Sequence, residues 1–253
     1  GSTGRIAEGI GLKILEQGGK SYIAYGRSAN PGGSIAIKIG SKWDQFPHLL
    51  QTRIFDSHGF HSDRATRTLI RKITSINPDI IHLHNLHGYY LNVRLLFEFL
   101  GKTSTPVVWT IHDCWPFTGH CCYYERIQCR KWMTECKSCE LTRLYPQSYL
   151  IDNSRKNFRN KKRLFNLPAQ MHLVTVSHWL EEQVKESILN RYPVSTIYNG
   201  VDLSIFKPLD CAGLREKYGF TGKKVILGVA NVWSEGKGLQ SFIELSRVIG
   251  DDM

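Results

Sequence analysis

The chain has 253 residues, 42% of them hydrophobic, and its 33 Lys and Arg exceed its 22 Asp and Glu to give a formal charge of +11. This length can bury the core of one large domain or of a domain and a half. The absence of an apolar run of about 18 residues excludes a membrane-spanning helix, and no signal peptide is expected. The charge favours anionic partners such as nucleic acid, nucleotides, phospholipid or pyrophosphate-linked substrates.

Amphipathic helices alternate with short apolar runs along most of the chain. In order, the pattern predicts a helix over 5–17, a strand in SYIAYG, a helix near 62–76, a strand in DIIHLH, a helix near 90–100, and strands in PVVWTIHD and MHLVTVS, followed by the helix HWLEEQVKESIL. Such alternation is typical of a doubly wound α/β fold with a parallel sheet. Ser177 is predicted to cap the last of these helices.

The alternation pauses after YNGVDLSIFKP and restarts with the strand KKVILGVAN and the helix LQSFIELSRVIG. We therefore predict a Rossmann-like domain over 1–207, with a Cys-rich insert at 114–140, and the start of a second α/β domain over 208–253. Asn-Gly at 199–200 predicts a tight turn with positive φ, because this dipeptide readily adopts that conformation. Both ends of the chain look cut, which suggests a piece of a longer enzyme.

Charged and polar side chains are predicted where ligands of such sheets bind, beyond the carboxyl ends of the strands. They are His82, His84, Asn85, His112, Asp113, Ser177, Asn199 and Asn231. Two histidines spaced as H-x-H point to the same face of a strand, so His82 and His84 suit either a cleft wall or, less readily, a metal site. GSTGR at 1–5 is predicted to be a glycine-rich turn of the kind that usually follows a first strand. Further candidates for substrate binding are therefore Gly1, Ser2, Thr3, Gly4 and Arg5.

Two basic features also stand out. Lys237 lies in SEGKG just before a helix, where backbone N–H groups, the helix dipole and an ammonium suit a diphosphate. The run NSRKNFRNKKRLF at 153–165 is interpreted as the solvated face of an amphipathic helix or, alternatively, as a patch facing an anionic membrane or substrate.

Six of the seven cysteines lie between 112 and 140. A C-x-x-C pair with two further cysteines within about 20 residues is a common arrangement for structural zinc, which takes four thiolates in a tetrahedron. The predicted ligands are Cys129, Cys136, Cys139 and either Cys121 or Cys122, and His120 could replace one thiolate. Free or partly oxidised thiols, and a redox role, remain as alternatives.

Taken in order, these segments resemble the retaining glycosyltransferases of family 4, which have the two-domain GT-B architecture. The segments that carry the resemblance are GSTGR, DIIHLHN, VVWTIHDCWPFTGHC, VTVSHWL, YNGVDLSIFKP and VILGVANVWSEGKGL, and they span nearly the whole chain. Two motifs are specific for this family when they occur in this order. They are the strand ending in Thr-x-His-Asp and the linker Asn-Gly-Val-Asp-x-x-x-Phe-x-Pro. The Cys-rich insert narrows the resemblance to bacterial polysaccharide enzymes of the colanic-acid type.

The resemblance implies site residues. His112 corresponds to an active-site histidine close to the donor sugar, and Asp113 either orients its imidazole or caps the following turn. Lys237 matches a lysine that stabilises the departing nucleoside diphosphate, although the arginine often found a few residues earlier is absent from Asn231-Val232-Trp233. A Glu-x7-Glu motif that grips the donor is expected beyond Met253.

The function implied is metal-independent transfer of a sugar, with retention, from a nucleotide-sugar to a saccharide or lipid-linked acceptor. The acceptor would bind mainly on the first domain. The expected location is the cytoplasm, with peripheral contact to the inner membrane, and no nucleic acid is expected as partner. A zinc-containing nucleic-acid-binding module is the alternative, suggested by the charge of +11 and the cysteines.

Overall fold

The computed structural model describes residues 2–28, 31–230, 232–233 and 235–249. The chain forms two compact units, Gly1–Gly200 (unit 1) and Val201–Met253 (unit 2). The helices and strands are α1 (Ser2–Glu16), β1 (Tyr22–Tyr25), β2 (Ile35–Lys38), α2 (Lys42–Phe55), α3 (Asp63–Ile76), β3 (Ile81–Leu83), α4 (Val93–Leu100), β4 (Val107–Ile111), α5 (Ser154–Leu164), β5 (Met171–Thr175), α6 (His178–Glu186), β6 (Val194–Thr196), α7 (Ala212–Lys217) and α8 (Leu239–Val248).

All described strand pairs are parallel, which confirms the predicted α/β class. Strands β3, β4, β5 and β6 form one sheet in that order, while β1 and β2 form a separate pair. The longest ladder joins β4 to β5, from Val107 opposite Met171 to Ile111 opposite Thr175. Parallel neighbours need long crossover connections, which the intervening helices supply. The carboxyl ends of the four strands therefore lie along one edge.

The core of unit 1 is built around the aromatic residues of β4 and its neighbouring helices. Trp109 and Phe97 are fully buried with Phe165, whose ring centroid lies 4.4 Å from that of Phe97 and 5.1 Å from that of Trp109. The indole N–H of Trp109 donates to the carbonyl of His84 at 3.0 Å. This bond satisfies a buried donor and fixes the chain just beyond β3, where the cavity described below begins.

Several elements differ from the sequence prediction. Helix α2 was not predicted from the sequence. Pro47 lies inside it, and a proline normally indicates the end of a helix. Trp43 and Phe46 are exposed, so the hydrophobic residues of this segment do not follow the helical repeat of a buried face. The predicted turn GSTGR is wrong for residues 2–5, which form the first turn of α1, while Gly1 lies outside the described residues. Asn199 and Gly200 lack the predicted positive φ.

In unit 2 the predicted strand KKVILGVAN is not assigned as a strand over its described residues. Strands are stabilised by ladder hydrogen bonds to a neighbour, and the described part of unit 2 contains no strand with which this segment could pair. The predicted helix is present as α8, preceded by a short 3₁₀ turn at Glu235–Lys237. The predicted boundary after residue 207 stays a prediction.

The Cys-rich insert at 114–140 consists of 3₁₀ turns packed on α5. Lys161 of α5 is only 1% exposed, and its ammonium donates to the carbonyls of Trp115 at 2.7 Å and Thr118 at 3.0 Å. The same ammonium lies 3.5 Å from the centroid of the Trp115 ring. The basic run is thus an amphipathic helix, as predicted, but one of its lysines belongs to the core rather than to the solvated face.

Gly119 marks the tightest approach between the insert and α5. A Cβ built at this residue would overlap the backbone carbonyl of Ser154 and lie 2.8 Å from Cβ of Cys136. Because a backbone atom cannot rotate away, we expect Gly119→Ala to destabilise unit 1 by about 1–3 kcal/mol, measured by urea unfolding.

Gly9→Ala is the matched control, because Gly9 lies within α1 and a Cβ there has no neighbour within 4 Å. Alanine is favoured over glycine in a helix, so this control should leave stability unchanged or raise it by up to about 1 kcal/mol. Equal midpoints for Gly119→Ala and the unsubstituted protein would show that the insert and α5 are not in contact at this position.

Candidate functional site

A cavity of about 250 Å³ lies in unit 1 at the carboxyl edge of the four-stranded sheet. Each strand of that sheet contributes a wall residue from just beyond its end: Asn85 after β3, His112 after β4, Val176 after β5 and Asn199 after β6. The start of α1 adds Ser2 and Thr3. This is where ligands bind in parallel α/β sheets, and the mixed polar lining suits a hydroxyl-rich molecule.

Three imidazoles form a row from the face of β3 to the cavity. The ring centroids of His82 and His84 are 4.2 Å apart, which confirms that the H-x-H pair shares one face. Nδ1 of His84 lies 3.1 Å from Nε2 of His112, and the two rings stack with centroids 5.4 Å apart. His84 is not a wall residue of the cavity; it contacts the wall through His112.

Both members of the hydrogen-bonded pair are neutral at neutral pH. Burial, reinforced by the neighbouring imidazoles, lowers the pKa of His84 to about 3. Burial also lowers the pKa of His112, against the opposing effect of the Asp113 carboxylate. A neutral His112 that engages His84 through Nε2 presents Nδ1 for a ligand, as a donor or an acceptor according to the tautomer.

Asp113 pairs with His87 and not with His112. Its Oδ2 lies 2.8 Å from Nε2 of His87, while Oδ1 accepts the backbone N–H of Trp115 at 2.9 Å. The second contact is the predicted turn cap. Burial alone would raise the pKa of Asp113, but the hydrogen bonds from His87 and Trp115 lower it overall. Nδ1 of His87 is 3.0 Å from the hydroxyl of Tyr145, so hydroxyl, imidazole and carboxylate form one chain along the wall.

Among the described residues, one group of three metal-ligating side chains has all donor atoms within 4.8 Å of one another: His87, Asp113 and Cys122. Both ring nitrogens of His87 are already engaged, by Asp113 and by Tyr145. A histidine needs a free lone pair to bind a metal, so this arrangement is a hydrogen-bonded network rather than a metal centre.

The structure brings most, but not all, of the predicted site residues together. The cavity wall contains Ser2, Thr3, Asn85, His112, Asp113 and Asn199. Gly4 and Arg5 are not among the wall residues, and Gly1 lies outside the described part of the chain. Ser177 caps α6 as predicted, accepting the N–H of Leu180 at 3.2 Å. Lys237 belongs to unit 2, and Asn231 is not described, so their roles stay predictions.

The four predicted metal ligands gather at a second, much smaller cavity of about 20 Å³ inside the insert. Cys121, Cys129, Cys136 and Cys139 all line it, together with His120, whereas Cys122 belongs to the larger cavity. None of these cysteines forms a disulfide.

Comparison with known proteins places the chain in a family. Residues 43–205, well over half of the chain, match Glycosyltransferase Family 4. The chain belongs to glycosyltransferase family 4. It is also similar to WcaC of Escherichia coli (strain K12), a protein assigned as a colanic acid biosynthesis glycosyl transferase, with 25% identity over 267 residues. That alignment covers 99% of this chain and 64% of WcaC, so the chain spans less than two thirds of its relative's length.

The part of this family 4 chain that matches contains β3, β4, β5 and β6, and with them most of the cavity wall. No comparison supports the alternative of a nucleic-acid-binding module. Every helix within the described residues is too short or too polar to cross a lipid bilayer.

Proposed function

We propose that the protein is a retaining glycosyltransferase that moves a sugar from a nucleotide-sugar donor to a saccharide or lipid-linked acceptor in bacterial surface polysaccharide synthesis. The observation that carries the proposal is the cavity at the carboxyl edge of the sheet in a chain that belongs to family 4. The similarity to WcaC supports the polysaccharide context. Unit 1 would bind the acceptor, and unit 2 would contribute to the donor site.

In this proposal the residues of the wall act mainly by positioning. Nδ1 of His112 would contact the transferred sugar, and its bond to His84 holds the ring in place. Asn85, Asn199, Ser2 and Thr3 offer donors and acceptors for sugar hydroxyls. Holding the two substrates in a fixed orientation lowers the activation barrier to transfer, because the entropy cost of bringing them together is met on binding. A polar group held near the reacting carbon adds electrostatic stabilisation of the transition state. Lys237 would stabilise the leaving diphosphate in unit 2.

The proposed location is the cytoplasmic face of the inner membrane, where a lipid-linked acceptor is available. Exposed basic residues of α5, including Lys156 and Lys162, suit transient contact with anionic lipid. Two other basic residues of this helix, Arg155 and Arg159, are already paired with Glu135 at 2.8 and 2.6 Å. Peripheral contact would therefore be weak and sensitive to salt.

Ligand binding tests the proposal. Calorimetry is expected to show saccharide binding to the protein, and binding should weaken in Asn85→Ala, which removes a polar wall residue, but not in Asn166→Ala. Asn166 is a matched control because its amide bonds only to the carbonyls of Lys162 and Ile188. Titration with single-stranded DNA at several salt concentrations covers the alternative, since tight, salt-dependent DNA binding without any saccharide binding would overturn the proposal.

A further inference from the structure

We propose that the Cys-rich insert is a structural zinc centre in which Cys121, Cys129, Cys136 and Cys139 bind one Zn²⁺ as thiolates. The inference is independent of sugar transfer, because the cluster lies at the small cavity and not at the larger one. Three observations carry it: the size of the small cavity, the contact between two of its thiols, and a buried histidine nitrogen without a partner.

The small cavity has room for one occupant of about the size of a water molecule or a single ion. Its volume of about 20 Å³ only slightly exceeds the ~10–15 Å³ that one water molecule requires. The four cysteines converge on it from the loops that flank the 3₁₀ turns Tyr124–Ile127 and Lys131–Met133, at spacings of seven, six and two intervening residues. A pair separated by two residues is the usual half of a structural zinc site.

Two of the thiols are already neighbours. The side chains of Cys121 and Cys139 lie next to each other at the cavity. Two sulfur atoms bound to one tetrahedral zinc at about 2.3 Å lie about 3.8 Å apart, so neighbouring thiols are the starting arrangement that such a site needs. The cluster is nevertheless not fully closed, because no three of its donor atoms lie within 4.8 Å of one another. A complete tetrahedron requires the sulfur atoms of Cys129 and Cys136, which also line the cavity, to move closer to this pair.

His120 supplies the independent evidence. Its side chain is completely buried, and Nδ1 is fixed at 2.5 Å from Oδ1 of Asp56, whereas Nε2 has no hydrogen-bond partner. A buried polar nitrogen without a partner is costly, so its presence calls for a missing group. His120 lines the small cavity close to Cys139. A zinc-bound Cys139 thiolate would supply that group: with His120 as an imidazolium, Nδ1–H donates to the Asp56 carboxylate and Nε2–H to the thiolate, and the proton released by the Cys139 thiol goes to solvent.

The surroundings also suit the charge of the centre. Four thiolates and one Zn²⁺ carry a net charge of −2, which needs compensation in a buried site. Lys131, Lys137 and Glu140 line the cavity. The ammonium of Lys131 pairs with Glu140 at 3.1 Å and donates to the carbonyl of Ser138 at 2.9 Å, beside Cys139. Two lysines against one glutamate leave one excess positive charge in the lining, which would offset part of the negative charge that zinc binding creates.

Metal analysis of the reduced, untagged protein is the primary test, with one equivalent of zinc expected. Replacing zinc with Co²⁺ should give the intense charge-transfer absorption of several thiolates. Cys136→Ser is expected to lose the metal, while Cys114→Ser and Cys211→Ser should keep one equivalent, because Cys114 contacts Glu125 instead and Cys211 is exposed in unit 2. His120→Gln should keep the metal but bind it about 10–100-fold more weakly.

A second measurement covers the case in which Cys136→Ser does not fold. In the unsubstituted protein, alkylation followed by mass spectrometry should find these four cysteines protected until a chelator is added. Absence of metal from the reduced protein, disulfides among the four cysteines, or equal metal loss in the Cys114 and Cys211 variants would overturn the proposal. Loss of metal in His120→Gln together with full retention in Cys121→Ser would overturn the four-thiolate set.

Discussion

Replacing His112 with Ala is expected to lower the rate of sugar transfer by about 10²-fold or more, with little loss of stability. In the proposed mechanism the substitution removes one positioned contact to the transferred sugar, and losses of this order follow when such contacts are deleted. Stability should fall by only about 1 kcal/mol, because the ring opens onto the cavity, and its hydrogen bond and its ring stacking are both with the same residue, His84. Turnover of the active enzyme and its melting temperature are measured on the same preparation.

His172→Ala is the control for this experiment. His172 also makes one hydrogen bond, from Nε2 to Oγ of Ser195 at 2.9 Å, but it is not part of the cavity wall. It should show a similar small change in stability with normal turnover. If His112→Ala melted early while its folded fraction kept full specific activity, His112 would be a structural histidine and the catalytic assignment would be withdrawn.

Asp56→Ala is expected to lower the free energy of unfolding by about 3–5 kcal/mol, because it removes a buried charged partner from two other groups. The Asp56 side chain is 1% exposed, with Oδ1 bound to His120 and Oδ2 accepting the backbone N–H of Asn153 at 3.0 Å. Its backbone also ends α2 in the left-handed conformation, at φ 47°, which Asn tolerates better than Ala. Chemical denaturation should therefore rank Asp56→Asn between the native protein and Asp56→Ala.

Asp79→Ala serves as the comparison, since Asp79 is an exposed aspartate of the same unit. Surface substitutions of this kind usually change stability by less than about 0.5 kcal/mol. A loss for Asp56→Ala no larger than that for Asp79→Ala would show that the link between α2, α5 and the insert contributes nothing to stability.

The periodic part of the fold was predictable from sequence. Strands β3, β4 and β5 read as short apolar runs because both faces of a parallel sheet are covered, and His112 could be placed at a strand end for that reason. Helix α2 could not be predicted, since Pro47 and the exposed Trp43 conceal its period. Pairing between distant residues was also hidden, because strand order and loop packing are not encoded in local periodicity.

The candidate site shows the same division. Asn85, His112 and Asp113 were found because they directly follow strands. Tyr145 was missed, as it lies in a loop without any regular pattern and reaches His87 over 58 positions. The partner of Asp113 was equally hidden, since adjacency in sequence favoured His112 whereas the structure pairs the carboxylate with His87.

The burial of Lys161 limits how this protein could be recombined with its relatives. The ammonium of a helix outside the insert holds two carbonyls of the insert and the ring of Trp115, so each of the two segments completes the other's interior. Residues 114–140 consequently cannot be exchanged without α5. A chimera that takes this segment from a relative would also need that relative's α5. Without it, the buried core would contain either an ammonium without acceptors or two carbonyls without donors.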